Sequence, residues 1–469
     1  MLPNKLQFDK RYIWQMDKRT SESQEKVLRE KVRQQFKTGP YPRRPLEKFP
    51  KDDYDWLFTH SAIAPYYLRN QKILDTEGKY ILDSGCGTGY KALALAAANP
   101  GAKIVGVDIS EEAIELAKIR LARYGFNDAE FYAMALEDLP ELGIEFDYIN
   151  CDEVLYLLPD PIAGLQAMRS VLKPDGVMRG NFHSALQRTY FYRAQQGFGI
   201  MGLMDGNPRE TEIELSRQLM IQLKDKVRVK RKTWNADKAY EDEGWVLSNY
   251  LLLEDKGSTI PEMFAAFREA KLELVSMVAW QRWEILDLFE KPELLPSAVA
   301  LRFQEMSLEE RLHLFELWNP TYRLLDFWCG HPREAGKAPE AGKDSVTKKD
   351  WSESDWKKAV VRLHPLLAIP RVKKTAIASI AKRARFKISR YIPSVAPNSI
   401  WLDSIVASCL LPLWDEPQSI GTLVERYLKM APPDPLTLKP VSETKAFQEI
   451  VQTLKTLESC CYVFLARES

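Results

Sequence analysis

A chain of 469 residues has room for two or three domains of about 150 residues each. Hydrophobic residues make up 45% and charged residues 28%, as in ordinary globular protein; no apolar run approaches the roughly 18 residues of a membrane span, and a formal net charge of +1 gives no ground for nucleic-acid binding. The six cysteines at 86, 151, 329, 409, 460 and 461 show no zinc spacing, so no metal site is expected, and reduced thiols in a cytoplasmic setting are.

Residues 1–74 read as an N-terminal helical cap. The first twenty residues lack the apolar centre of a secretory signal. Residues 21–36 have helical composition, and Gly39-Pro40-Tyr41-Pro42 breaks it. Residues 52–70 are aromatic-rich: Tyr54, Trp56, Tyr66 and Tyr67 are candidates for a cover over a pocket or for plain helix packing.

Residues 79–110 carry the main signal. Tyr80-Ile81-Leu82 is a short apolar run of the kind that forms a buried strand, and Asp83 ends it. Gly85, Gly87 and Gly89 follow at alternate positions, and 91–98 is Ala/Leu-rich and helical by propensity. Ile104 to Val107 is a second strand closed by Asp108. A glycine turn between strand and helix lets a ligand approach the backbone and the helix N-terminus, and an acid at the end of the second strand can take both hydroxyls of a ribose. The dinucleotide fingerprint needs Gly or Ala at position 90, which is Tyr90, so an NAD reading is weakened.

The spacing Gly-x-Gly-x-Gly, with Asp83 two residues ahead and the strand ending in Asp108, resembles motif I of the class I S-adenosylmethionine-dependent methyltransferases. Residues 130–140 give a third strand ending in Glu137-Asp138, 146–158 a fourth strand and its exit, and 161–172 a helix leading through Lys173-Pro174-Asp175-Gly176 into a fifth strand. The resemblance runs in family order over 79–184. It implies an α/β, Rossmann-like sheet that binds S-adenosyl-L-methionine. Gly85, Cys86, Gly87 and Gly89 would bring backbone to the methionine and ribose, Asp83 would meet the amino group, Asp108 the ribose hydroxyls and Ile109 the adenine face, with Glu137 and Asp138 near the adenine amino group. Asn150, Cys151, Asp152, Glu153 and Tyr156 leave the fourth strand facing the methyl group in this fold. Cys151 is assigned to the cofactor, and Glu153, Tyr156 and His183 are the candidate catalytic residues. Asn150-Cys151-Asp152-Glu153 lacks the prolines of the base-amino methyltransferases, which argues against methylation of adenine or cytosine.

The methyltransferase domain is expected over 75–290, with an insertion at about 187–245. Residues 245–254 and 272–280 are read as late strands flanking a helix at 260–270. Residues 291–330 are read as a helical accessory; Phe315-Glu316-Leu317, Asn319, Arg323 and His331 give a weaker resemblance to the methyltransferase regulatory domain of bacterial protein lysine methyltransferases. Residues 331–358, with the repeated Glu-Ala-Gly-Lys at 334 and 340, are a linker by composition. Residues 359–469 are a C-terminal module. Its run 371–391 is basic and free of acids, its helices lie at 406–430 and 444–458, and its terminal strand suggests a small winged-helix-like unit. The expected activity is methyl transfer. The acceptor stays open between a protein lysine or other amine and a small metabolite, beside a non-catalytic sensor that only holds the cofactor. The oligomeric state is not read from the sequence.

Overall fold

The computed structural model describes residues 44–206, 208, 210–253, 255–333, 351–433 and 439–467. The helix expected at 21–36 and the repeat at 334–343 lie outside them.

Two short helices, α1 (Tyr54–Thr59) and α2 (Ile63–Asn70), precede an alternation of strand and helix: β1 (Tyr80–Ser84), α3 (Tyr90–Ala98), β2 (Lys103–Asp108), α4 (Glu111–Arg123), β3 (Glu130–Ala133), β4 (Phe146–Cys151), α5 (Pro161–Ser170) and β5 (Leu172–Ser184). Strands β1, β2 and β4 are largely buried because helices cover both faces of the sheet there. Local signals set the helix starts. Ser110 accepts from the Ala113 N–H at 3.2 Å, and Asp160 from Ile162 and Ala163 at 2.9 and 3.0 Å. Gly89, at φ +77°, begins α3; a Cβ there would stand 2.7 Å from the Ala117 Cα, so glycine lets α3 pack closely on α4.

Helices α6 (Thr189–Ile200), α7 (Glu210–Gln222), α8 (Arg228–Thr233), α9 (Ala236–Glu241) and α10 (Glu243–Tyr250) form the insertion, with an apolar core of their own that includes Phe198, Met220, Val246 and Tyr250. The strand expected at 245–254 is therefore replaced by α10: Asp242 caps it by accepting from the Trp245 N–H, and Val246 and Tyr250 reach that core at helical spacing. Only a two-residue strand, β6 (Gly257–Ser258), follows before α11 (Ile260–Ala270), β7 (Glu273–Met277), α12 (Ser297–Glu305), α13 (Leu308–Trp318) and β8 (Leu324–Gly330).

The sheet order is β3-β2-β1-β4-β5-β8-β7, with β1 to β5 parallel and β8 antiparallel to both neighbours. The stretch expected to be a helical accessory thus supplies a central strand. Leu325, Phe327, Trp328 and Cys329 are all buried, so the apolar run at the end of that stretch belongs to the sheet.

The C-terminal module comprises α14 (Glu353–Lys358), β9 (Val360–Leu363), α15 (Pro370–Ala381), β10 (Phe386–Lys387), β11 (Trp401–Leu402), α16 (Ser404–Leu410), β12 (Gln418–Ser419), α17 (Ile420–Met430), α18 (Glu443–Ser459) and β13 (Val463–Ala466). Strand β9 is the centre of an antiparallel three-stranded sheet with β12 and β13 at its edges. The module shares one apolar cluster with α2, α3 and α4. At that seam the Leu465 N–H donates to the Tyr67 hydroxyl at 3.1 Å, and the hydroxyl donates to the Glu458 carboxylate.

Candidate active site

The strand order reverses between β1 and β4, and the crevice at their carboxyl ends is where an open α/β sheet takes a ligand. Asp83, Asn150 and Asp152 lie on one side of the sheet because side chains alternate along a strand. Asn150 Nδ2 donates to Asp83 Oδ1 at 2.9 Å, while Asp83 Oδ2 is buried without a hydrogen-bond partner. Burial pushes the Asp83 carboxyl up to about 6, against the pull of Asn150 and Lys91. Asp108 closes β2 by accepting from the Gly87 N–H at 2.9 Å and the Ser110 N–H at 3.0 Å; its burial raises it too. Ile109, beside it, is exposed. Glu137 and Asp138 lie in the turn after β3, Glu137 half-buried and Asp138 exposed.

The side chains of Cys86 and Cys151 do not reach the crevice. Both are buried in apolar clusters, Cys86 beside Gly106 and Cys151 between β1 and β5. Only their backbone is left to meet a cofactor.

Beyond β4 the charged groups converge. Lys91, in the first turn of α3, donates to the Asp152 carbonyl at 2.6 Å, and its ammonium stands 3.0 Å from Asp152 Oδ2 and 3.6 Å from Glu153 Oε2. Asn181 donates to Asp152 Oδ1 at 2.6 Å and accepts from the Glu153 N–H at 2.8 Å, which holds Glu153 at φ +60°. Arg179 is buried in β5. It grips Asp326 of β8 with Nε and Nη2, at 3.0 and 2.7 Å, and stands 3.6 Å from Asp152. Burial alone would raise the Asp152 carboxyl; Arg179 and Lys91 overcome it and hold it well below the usual carboxylate range. Burial likewise opposes, and Lys91 and Arg323 produce, the lowered value of Glu153. His60 donates from Nδ1 to the Trp56 carbonyl at 2.8 Å, leaving Nε2 as a buried acceptor without a hydrogen bond, 3.9 Å from Asp152 Oδ2. Burial, aided by Arg179, lowers it to about 3.

Glu153, Tyr156 and His183 come together through Arg323. One guanidinium nitrogen donates to Glu153 Oε1 and another stands 3.1 Å from His183 Nε2. A guanidinium only donates, so Nε2 accepts and His183 Nδ1–H is given to Asp255 Oδ1 at 2.6 Å. Asp255 also accepts from Arg188 at 2.7 Å and Gln195 at 3.0 Å. Tyr156 stacks on the imidazole with ring centres 3.6 Å apart. Burial, with Arg188 and Arg323, lowers His183 to about 4 against the pull of Asp255.

A cleft of about 850 Å³ reaches Lys91, Asp152 and Glu153, between α1, the start of α3 and the C-terminal module. Of the four aromatic cover candidates, Tyr54 and Trp56 line it. Tyr66 donates to Asp175 at 2.6 Å instead, and Tyr67 belongs to the seam with the module.

A family model described as "Methyltransferase domain" matches residues 75–242. An uncharacterized protein of Synechococcus sp. (strain ATCC 27144 / PCC 6301 / SAUG 1402/1) is 27% identical over 332 residues, 67% of this chain and 72% of that protein. Ubiquinone biosynthesis O-methyltransferase of Actinobacillus pleuropneumoniae serotype 5b (strain L20) is 32% identical over 157 residues; the match spans 31% of this chain and 64% of that enzyme. Among solved structures, PKMT2 from Rickettsia typhi covers 87% of this chain and 75% of its own with a TM-score of 0.55 at 17% identity, a likeness of fold. The same protein in complex with AdoHcy gives a TM-score of 0.53, with 89% and 76% covered, also at 17% identity.

Proposed function

We propose that this chain, a class I S-adenosylmethionine-dependent methyltransferase with its methyltransferase domain at residues 75–242, moves the methyl group onto a primary amine of the lysine type. The observation that carries the reading is the cradle around Lys91: the Asp152 carbonyl, the Asp152 carboxylate and the Glu153 carboxylate all converge on one alkylammonium at 2.6, 3.0 and 3.6 Å. In this reading Lys91 holds the acceptor's place until the acceptor displaces it.

The residues at the crevice fit the cofactor. The unpartnered Asp83 Oδ2 offers an acceptor to its amino group, Asp108 carries two carboxylate oxygens for the ribose hydroxyls, and Gly85 and Gly87 stay part-exposed in the turn while Gly89 packs on α4. Ile109 and Glu137 are assigned to the adenine side. Bound S-adenosylmethionine supplies a methyl group on a positively charged sulfur, so what the protein adds is chiefly alignment, worth up to roughly 7–11 kcal/mol.

The nucleophile is the neutral amine, so a proton must leave the ammonium. Glu153 is the first acceptor. Lys91 and Arg323 hold it ionised, so it stands as a carboxylate beside the ammonium that takes the place of Lys91. Arg323 remains on its other oxygen and connects it to His183, which Asp255 keeps in the tautomer with Nε2 free to accept.

The His183–Asp255 pair favours a second reading, methylation of a hydroxyl on a small molecule, in which His183 Nε2 takes the hydroxyl proton once Arg323 gives way. Incubation with methyl-labelled cofactor, a lysine-containing peptide and a phenolic acceptor separates the two. Label on the lysine Nζ, located by mass spectrometry, supports the amine reading; label on oxygen alone overturns it.

A further inference from the structure

The cleft has an excess of carboxylate at its buried end and a small excess of cations at its lip. At the buried end stand the Asp152 and Glu153 carboxylates. The outer lip, drawn from residues 44–55 and from the C-terminal module, carries the exposed cations Arg44, Lys48, Arg371 and Arg390. The lip also has three acids, each held by a hydrogen bond, so its four cations are in excess by one. Asp52 accepts from Arg371 at 3.2 Å, Asp53 caps α1 through the Trp56 N–H at 3.0 Å, and Asp55 accepts from the Ser394 N–H at 2.8 Å. Arg44, Lys48 and Arg390 have no carboxylate of the described residues within ion-pair distance. The basic run 371–391 contains no acid, so the module brings only positive charge to this edge. Between the two ends the walls are aromatic, with Tyr54, Trp56, Tyr90 and Tyr391 half-buried along them. Aromatic walls suit the apolar stem of a lysine side chain, whose charged head continues to the carboxylates beyond.

We infer that the cleft lip, built jointly by residues 44–48 and the C-terminal module, selects the acceptor: Arg44, Lys48 and Arg390, the lip cations without a carboxylate partner among the described residues, take carboxylates that flank the target lysine in an acidic polypeptide segment. The inference rests on the amine reading above. Cations spaced over two separate parts of the chain match several anionic groups spaced along a polypeptide. Potentials complementary in this way raise encounter rates and set register, and they weaken with salt.

The test uses the full chain and two synthetic peptides with one central lysine, flanked by aspartates in one and by alanines in the other. The aspartate-flanked peptide is expected to show a KM about tenfold lower, as several exposed ion pairs together would give. High salt should shrink the ratio. Arg390→Glu, and separately Lys48→Glu, should reduce it severalfold; both side chains are exposed, so neither change touches the core. Equal KM values, with lysine methylated in both peptides, would overturn the inference and leave the amine reading standing. An unchanged ratio in Arg390→Glu would overturn the module's part in it, and an unchanged ratio in both charge-reversal variants would overturn the inference. No methylation of either peptide by an enzyme that methylates a phenol would overturn both.

Discussion

Replacing Asp83 by asparagine removes one buried charge and little else. The carboxamide keeps an oxygen for the Asn150 Nδ2, 2.9 Å away in the native protein. The Asp83 carboxyl titrates at about 6 in the fold against 3.8 for the free group, chiefly because burial penalises its charge. Holding it ionised at neutral pH therefore costs about 3 kcal/mol, at roughly 1.4 kcal/mol per pH unit. Because the folded value lies above the unfolded one, the native state binds the extra proton between them. The stability this group contributes is complete below about pH 4 and is lost as the pH rises through about 6. A carboxamide does not titrate and has no such dependence. Asp83→Asn should thus gain about 2–3 kcal/mol relative to wild type between about pH 4 and pH 8, whatever constant penalty its buried N–H carries. Urea denaturation at the two pH values measures the change. The same substitution should weaken S-adenosylmethionine binding, followed by calorimetric titration at about pH 8, since the lone Asp83 oxygen can no longer meet an amino group. A stability difference that is the same at both pH values would refute the account of Asp83 as a buried charge held for a ligand.

Asp108→Ala should weaken S-adenosylmethionine binding by about ten- to a hundredfold in calorimetric titration, the loss of one or two charge-assisted hydrogen bonds, while the circular dichroism spectrum stays native. Arg179→Met leaves the carboxylates of Asp152 and Asp326 buried without their shared cation and should cost about 3–5 kcal/mol in urea denaturation. Tyr67→Phe deprives Glu458 and the Leu465 N–H of their shared hydroxyl. A loss of about 1–3 kcal/mol is expected, with faster hydrogen exchange confined to β13 and α18.

The first half of the sheet was legible because its signals are local. Strand, glycine turn, helix and strand follow one another within 79–110; the third strand, expected to end in Glu137-Asp138, stops at Ala133, and those acids fall in the helical turn that follows. The acceptor side was legible only in part. Glu153 and Tyr156 follow β4 and His183 lies near the end of β5, but the groups that organise them come from far along the chain. Asp255 ends an apolar run that reads as a strand, and nothing local ties it to His183, 72 residues earlier. Arg323 carries, in the sequence, only the weaker resemblance to the regulatory domain. Lys91 looks like one solvated lysine in an alanine-rich helix. Arg179 did carry a signal: a single arginine within the apolar run 177–182 requires a buried partner. That partner, Asp326, sits in β8, whose sequence follows a helix closely enough to read as its continuation.

The place of β8 also dictates an order of events when the chain is made. Strand β5 is complete at residue 184, yet its antiparallel neighbour ends only at residue 330. During synthesis the five parallel strands can assemble while β5 still presents an open row of main-chain groups and Arg179 still lacks the carboxylate 147 residues ahead of it. An open edge of this kind invites pairing with other chains. The five helices of the insertion leave the ribosome in that interval and can pack into their own apolar core. A ribosome halted before residue 330 would hold a domain with all the glycines of the turn after β1 in place and one side of its sheet still unsealed.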